Sequence, residues 1–321
     1  MGFNVAALAD YTRQNADSLT MASHFDAKTQ QIILNEGNVM TRVKSSETIN
    51  IIATNAPFQI DTGCGFNANG TTTITQRVVT VGKIKVEQQF CTKDLEAKYT
   101  QEALRAGSSN TEFAFEQKIT EEIAAVIAEQ LEKAIWQGDT NSTDQNLNKF
   151  DGLLKLINAV SGTVIQANTN TYLGQAPITG SITTANVKAI VDAMWVALPA
   201  SIQGKNDIRI FAGYDTYNTF LRAYRDQNLF NFAPTSGENA PNGEVIIPGT
   251  NYRLTAVHGL DGTNRLVATR TSNLYIGTDL SGEENSFEIW YSQDDRVNKL
   301  HVALKMGVNF AFPAEIVNFI I

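Results

Sequence analysis

Histidine and cysteine are almost missing from this 321-residue chain: His24, His258 and His301 are its only imidazoles, and Cys64 and Cys91 its only thiols. Nucleophilic catalysis of the Ser-His-Asp or Cys-His kind needs an imidazole that takes up a proton near neutral pH. None of the three histidines sits in a recognisable motif. His24 lies in the N-terminal segment, His258 ends an apolar run beside Gly259, and His301 alternates with Leu300 and Val302, so each reads as a packed or surface residue. Two cysteines are too few for a disulfide framework and lack metal-ligand spacing, so both are expected as buried or partly buried free thiols. There is no GxSxG elbow, no HExxH and no GxxxxGK[ST] phosphate loop. Gly63, Gly65 and Gly70 do not match the GxGxxG dinucleotide spacing, and they fall in the tip of a β-ribbon rather than between a strand and a helix. No catalytic, cofactor-binding or metal-binding residue is assigned, no cofactor is expected, and the chain is not read as an enzyme.

Charge is scarce as well. Only 18% of residues are charged, against roughly 25% in average composition, while Asn, Thr, Gln and Ala are frequent. Much of the surface is therefore neutral and polar, which suits extensive protein contact. The net charge of −8 and the absence of any Lys/Arg run argue against nucleic-acid binding, because neutralising phosphates needs clustered cations. No apolar stretch approaches the ~20 residues that cross a bilayer, and the start, MGFNVAALADYTRQ, lacks the basic flank and apolar centre of a signal peptide. Synthesis in a cytosol and no membrane association are expected. The acid pairs Glu283–Glu284 and Asp294–Asp295 lack the spaced oxygens of a calcium loop and read as solvated turns. Trp136, Trp195, Trp290, Tyr214, Tyr217 and Tyr224 are dispersed, as core or interface anchors are, rather than grouped for base stacking.

Along the chain, residues 1–40 read as a weakly structured arm with a short helix around 27–34, since apolar positions there are sparse. From residue 39 to 90 the composition turns to Thr, Ile and Val, with TINIIATNA and TTTITQRVVTVGKIKVEQQF on either side of GCGFNANG: a long hairpin with a Gly-rich tip. Across 74–90 the apolar residues alternate only in part, as in a strand that touches different partners along its length. A ribbon of this length cannot bury itself alone. The strongest helix is predicted over 112–136, with Phe115, Ile119, Ile123, Val126, Ile127, Leu131, Ala134 and Ile135 at three-and-four spacing, Ser109 and Glu112 at capping-box spacing, and Gly138 closing its end. Glu116, Gln117, Glu121, Glu122, Glu129 and Glu132 are expected on its solvated or intersubunit face; without a Glu-x-x-His partner they are not di-metal carboxylates. Residues 161–184 read as a linker or surface loop. Then follow a helix with Val187, Ile190, Val191, Met194, Trp195 and Leu198 on its apolar face, stopped by Pro199, the buried strand DIRIFAG, a helix over 215–226, and short strands. KLHVALKMGVNFAFPAEIVNFII closes the chain as a long strand, a turn at Pro313 and a last strand.

This order of elements, with LEKAIWQGD and FDGLLKLI around the end of the long helix, the run ANVKAIVDAMWVALP, DIRIFAG and YNTFLRAYRD, and the closing VALKMGVNFAFPAEIVNF, resembles the tailed-bacteriophage major capsid proteins, whose fold encapsulin nanocompartments share. The resemblance covers nearly the whole chain. It implies an α+β fold with an N-terminal arm (residues 1–40), an extended β-hairpin loop (41–90), a peripheral domain with a long spine helix (91–175), an axial α/β domain (176–298), and C-terminal strands (299–321) returning to the peripheral and axial core. In that family the loop lies over a neighbouring subunit, the arm reaches adjacent subunits, and axial domains meet at five-fold and six-fold positions. The implied function is a shell subunit that forms hexamers and pentamers and encloses double-stranded DNA without sequence-specific binding; an encapsulin-type shell is the alternative. Implied partners are the chain itself, a scaffolding protein, a portal and decoration proteins, and the implied location is the virion, after assembly in the host bacterial cytoplasm. The ~100-residue N-terminal scaffolding segment of some family members is not expected here: either a separate scaffolding protein exists or such a segment was never present. Lys83 and Lys85 lie on the predicted loop, but no matching Asn and acid are identifiable, and no intersubunit crosslink is expected.

Overall fold

The computed structural model of the chain describes residues 27–60, 68–90, 115–226, 243–279 and 286–321. His24, Gly63, Cys64, Gly65, Cys91, the Ser109/Glu112 cap and Glu283–Glu284 lie outside these residues. In chain order the first elements are α1 (Lys28–Asn35), β1 (Val39–Met40), β2 (Ser46–Asn55), β3 (Thr71–Thr80), β4 (Gly82–Phe90), α2 (Phe115–Gln137), α3 (Leu153–Ala159), β5 (Ile165–Gln166) and α4 (Asn170–Leu173). They are followed by α5 (Val187–Val196), β6 (Ile208–Ala212), α6 (Tyr214–Asp226), β7 (Glu244–Ile246), β8 (Arg253–Ala256), β9 (Arg265–Arg270), β10 (Leu274–Thr278), β11 (Ser286–Ser292), β12 (Val297–Phe310) and β13 (Val317–Ile320).

The alternating apolar residues of the closing segment build a strand long enough to organise the first sheet. β12 pairs antiparallel with β4 from Asn298↔Phe90 to Met306↔Gly82, with β11 along Val297–Ala303 and with β10 along Met306–Phe310, and β1 joins β10 in parallel. After a 3₁₀ turn at Pro313–Glu315 the chain enters the second sheet as β13. That sheet runs β5-β13-β9-β6-β8-β7, with β5/β13 and β6/β8 parallel and the other pairs antiparallel. The last 25 residues thus tie both sheets together.

The spine helix α2 packs on the first sheet because Ile127, Leu131, Ala134 and Ile135 recur on one face and are all buried, with Ala124 and Ala128 filling between them. Its end is set by a close approach. A Cβ on Gly138 would lie 2.5 Å from the Ala134 carbonyl oxygen and 2.6 Å from that of Phe150, and Gly152 N–H donates to Gly138 O at 2.8 Å. Gly138 is therefore required by the returning loop rather than by a left-handed cap. Lys155 completes the knot, donating to Asp139 at 2.7 Å, Asp151 at 2.6 Å and Thr140 at 2.9 Å, which gives the QGD and FDGLLKLI segments a shared structural purpose.

A second core forms where α5 and α6 cover the six-stranded sheet: Val187, Ile190, Val191 and Met194 meet Ile208, Ile210, Leu254 and Phe220. The first core reaches the opposite face of this sheet through Phe211 on β6, whose ring centroid is 5.3 Å from that of Trp136 on the spine helix. The stretch 161–184, read as a linker or loop, carries β5 and α4 and is pinned by Asn168, which donates to Ile178 O and Ile320 O and accepts from Ile178 N–H. Within the span expected for the arm, Lys28–Asn35 is a helix with Ile32 and Ile33 in the first core. Within the span expected for the loop, Gly82–Phe90 is a sheet strand; only β2 and β3 stand apart as a pair.

Candidate functional site

The β2–β3 ribbon has one face that the rest of the described chain leaves unburied. Ten in-register pairs, from Ser46↔Thr80 to Asn55↔Thr71, make it about 30 Å long at roughly 3.3 Å per residue. Period-two alternation splits its faces. Ile49, Ile51 and Val79 are buried near the root against Ala311. On the other face stand Thr48, Asn50, Ile52 and Thr54 with their partners Val78, Gln76, Ile74 and Thr72. That face carries no charge, and the cross-strand pair Ile52 and Ile74 is 64% and 65% exposed. Beyond it Phe58 is fully exposed and Ile60 nearly so.

The root is fixed more tightly than the outer half. Asn309 Nδ2 donates to Val78 O at 2.6 Å, Arg77 donates to Asn309 Oδ1 at 3.2 Å, and the Arg77 guanidinium sits 4.3 Å over the Phe310 ring. Gly307 lets β12 pass beneath the ribbon: a Cβ there would stand 2.1 Å from the Thr80 carbonyl oxygen. Beside the root, β4 and α2 enclose a groove of about 490 Å³ lined by Ile84, Val86, Ile123, Val126 and Ile127 and edged by Lys85, Glu122 and Lys149.

Among the described residues, the acids, bases and ligands weighed from sequence form no common constellation, although His258 lies near enough to Glu129 and Glu132 to favour their charge. His258 stacks on Tyr214, with ring centroids 4.3 Å apart, and its Nδ1 is 2.8 Å from Asp261. Asp261 in turn accepts the Tyr214 N–H at 2.6 Å, so this group fixes the start of α6. His301 lies opposite Glu87 across the β4–β12 ladder, Nδ1 to Oε1 3.5 Å. The hydrogen bond from Lys85 holds Glu87 below the usual carboxylate range. Asp295 is exposed and held below its usual value by Lys299 and Ser292, in a turn where Arg296 has φ +57°. Lys83 and Lys85 sit on β4 in the sheet, not on the ribbon. Among the described residues no three His, Cys, Asp or Glu side chains are grouped so as to hold a metal ion, and no helix is long and apolar enough to cross a membrane.

One acid departs from the sequence expectation. Glu121, Glu122 and Glu129 are exposed, but Glu132 is only 4% exposed and faces α1. Burial pushes its carboxyl up, against hydrogen bonds from the Thr29 hydroxyl and N–H. The helical pattern carries no signal for this, because the element that covers Glu132 comes from 103 residues earlier in the chain.

No family model and no curated protein sequence matches the chain. Solved structures do resemble it. A chain of the satellite phage P4 procapsid, a particle that includes the size determination (Sid) protein, aligns with a TM-score of 0.61 at 11% identity, covering 99% of this chain and 91% of that one. A chain from the capsid of an empty GTA particle gives 0.55 at 12% identity, over 91% and 89% of the two chains. The cyanophage A-1(L) capsid gives 0.52 at 13% identity, over 91% and 92%. The chain has the mixed α+β fold of these capsid chains.

Proposed function

We propose that the chain is the major capsid protein of a tailed bacteriophage, assembling through hexamers and pentamers into the icosahedral shell that encloses the double-stranded DNA genome. The observation that carries this reading is the ribbon: in a chain of capsid fold, a two-stranded sheet extends an uncharged face, with Ile52 and Ile74 exposed, that no other described residues cover. An isolated hairpin is at best marginally stable in water, and ordering it costs about 1–2 kcal/mol per residue. Contact with other copies offsets that cost, and obligate interfaces commonly exceed about 2,000 Å².

The division of labour that follows has an arm in residues 1–40 whose end is seated as α1, a loop in 41–90 that projects as β2 and β3 and returns to the sheet as β4, a peripheral domain in 91–175, an axial domain in 176–298 and C-terminal strands in 299–321. Its partners are further copies of itself, a scaffolding protein, a portal and decoration proteins. DNA is enclosed rather than read, in keeping with the net charge of −8. The protein is made and assembled in the host bacterial cytoplasm and resides in the virion, with no enzymatic role. Encapsulin shells share the fold; the likeness to phage and GTA capsid chains favours the phage reading.

Negative-stain electron microscopy of the purified protein, beside its size-exclusion profile, tests this. Closed shells or rings of five and six are expected. A compact monomer that assembles at no concentration, with or without co-expressed phage proteins, refutes it.

A further inference from the structure

Helix α1 is gripped from three directions. On the spine helix, Glu132 Oε2 accepts the Thr29 N–H at 3.0 Å, its Oε1 lies 2.5 Å from the Thr29 hydroxyl oxygen, close enough for a neutral carboxyl to donate its proton there, and Trp136 Nε1–H donates to the same hydroxyl oxygen at 2.8 Å. Towards the six-stranded sheet, the Lys28 ammonium donates to Ala256 O at 2.8 Å and Gly243 O at 3.2 Å. Beside the five-stranded sheet, Gln30 Nε2 lies 3.1 Å from the Met306 sulfur, and Thr271 Oγ1 donates to Glu36 at 2.7 Å. Gly259 closes the floor: a Cβ there would be 2.2 Å from Trp136 Cδ1 and 2.5 Å from the Glu132 carbonyl oxygen. An eight-residue helix thus buckles the spine helix to both sheets.

At the centre of the buckle is a carboxyl group with almost no access to water. Lys28 from α1 and His258 from the turn after β8 favour its charge. Tyr214 faces it from α6, and Glu244 and Arg209 face Lys28 from the second sheet. On its own helix, Glu129 and Lys133 pair with each other at 2.9 Å, partly in solvent. Burying a carboxylate without full solvation is costly, and a neutral carboxyl in the same place is not. Burial outweighs the favourable neighbours and holds Glu132 above the usual carboxylate range.

We propose that Glu132 is a proton-controlled pin: protonated, it keeps α1 seated on the spine helix, and its ionisation loosens α1 and uncouples the two sheets at that joint. The device belongs to the single chain and does not depend on the shell reading. Because the folded state favours the proton, the stabilisation is complete below the ordinary carboxylate value of the unfolded chain and is lost as pH rises through the higher folded value. Between those two values the open fraction of α1 grows about tenfold per pH unit, and above the folded value it levels off.

Hydrogen exchange on the full chain from pH 5 to 9, corrected for intrinsic exchange, reads the opening of the α1 amides against those of β9. In the wild type, α1 is expected to open with rising pH while β9 stays closed. Glu132→Gln, which keeps the shape of the neutral acid, should remain closed throughout. Lys28→Met removes a charge that favours ionisation, so its transition should move to higher pH, a shift that loss of packing alone would not produce. Identical pH profiles for wild type and Glu132→Gln, or an unmoved midpoint in Lys28→Met, overturn the proposal.

Discussion

Replacing Ile52 and Ile74 together by threonine separates what the ribbon does for the chain from what it does for an assembly. Threonine keeps the β-branch and the strand preference, so the ten-pair register is retained. Both isoleucines are about two-thirds exposed, at 64% and 65%, and the chain alone loses little when they become polar. Fully burying an isoleucine is worth about 1.5–3 kcal/mol, so about 1–2 kcal/mol per side chain remains to be gained only when another copy covers this face. The double substitution therefore removes about 2–4 kcal/mol per ribbon contact, a factor of roughly 30 to 1,000 in association. Light scattering and sedimentation across a concentration series should show the threshold for particle formation rising by that order, while the melting temperature of the unassembled chain moves by no more than a degree or two. A lower melting temperature with an unchanged assembly threshold would refute the reasoning, because it would place the isoleucine face inside the chain's own stability.

Gly307→Ala sets a methyl 2.1 Å from the Thr80 carbonyl oxygen and 3.0 Å from Val81 Cα; since both are backbone, the ribbon root must shift, and urea unfolding should show a loss of about 1–3 kcal/mol. Trp136→Phe keeps most of the packing but deletes the donor to Thr29, for an expected loss of about 0.5–1.5 kcal/mol in the same assay. The loop that Lys155 closes should loosen in acid. Hydrogen bonds from Lys155 and the Asn141 N–H hold Asp139 below its usual value, and Asp151 is also lowered, its partial burial outweighed by Lys155 and Thr140. The contribution of these lowered acids is complete above the ordinary carboxylate value and is lost as pH falls through the lowered ones. Amide exchange across residues 139–149 should therefore rise below about pH 4, and Lys155→Met should show the faster exchange already at neutral pH.

The spine helix, the ribbon and the final strand–turn–strand were readable from the sequence because each is dictated locally, by three-and-four spacing, by β-branched runs, or by Pro313 between two apolar stretches. What was not readable depends on distant partners. Residues 74–90 break into two strands near Val81 because β4 pairs with a strand more than two hundred residues later. Glu132 looked like one more solvated acid until α1 covered it. Gly138 was correctly placed at the helix end, but its necessity comes from Phe150 and Gly152, whose return no spacing rule encodes. The unburied ribbon face was legible in outline, since no single-chain partner for such a hairpin was in sight, whereas the position of its root on Gly307 and Asn309 was not.

The passage of β12 beneath the ribbon and on into β13 also has a mechanical meaning. A pull on the ribbon is delivered through Asn309 and Arg77 to the one strand that β4, β10 and β11 all clasp. From there the force runs along the backbone, past Pro313, into a sheet on the far side of the junction. Loaded lengthwise, the hydrogen bonds of those ladders are strained together instead of one after another. A tug on the ribbon is thus shared across both cores, and a ribbon anchored in this way resists being torn out of its own chain.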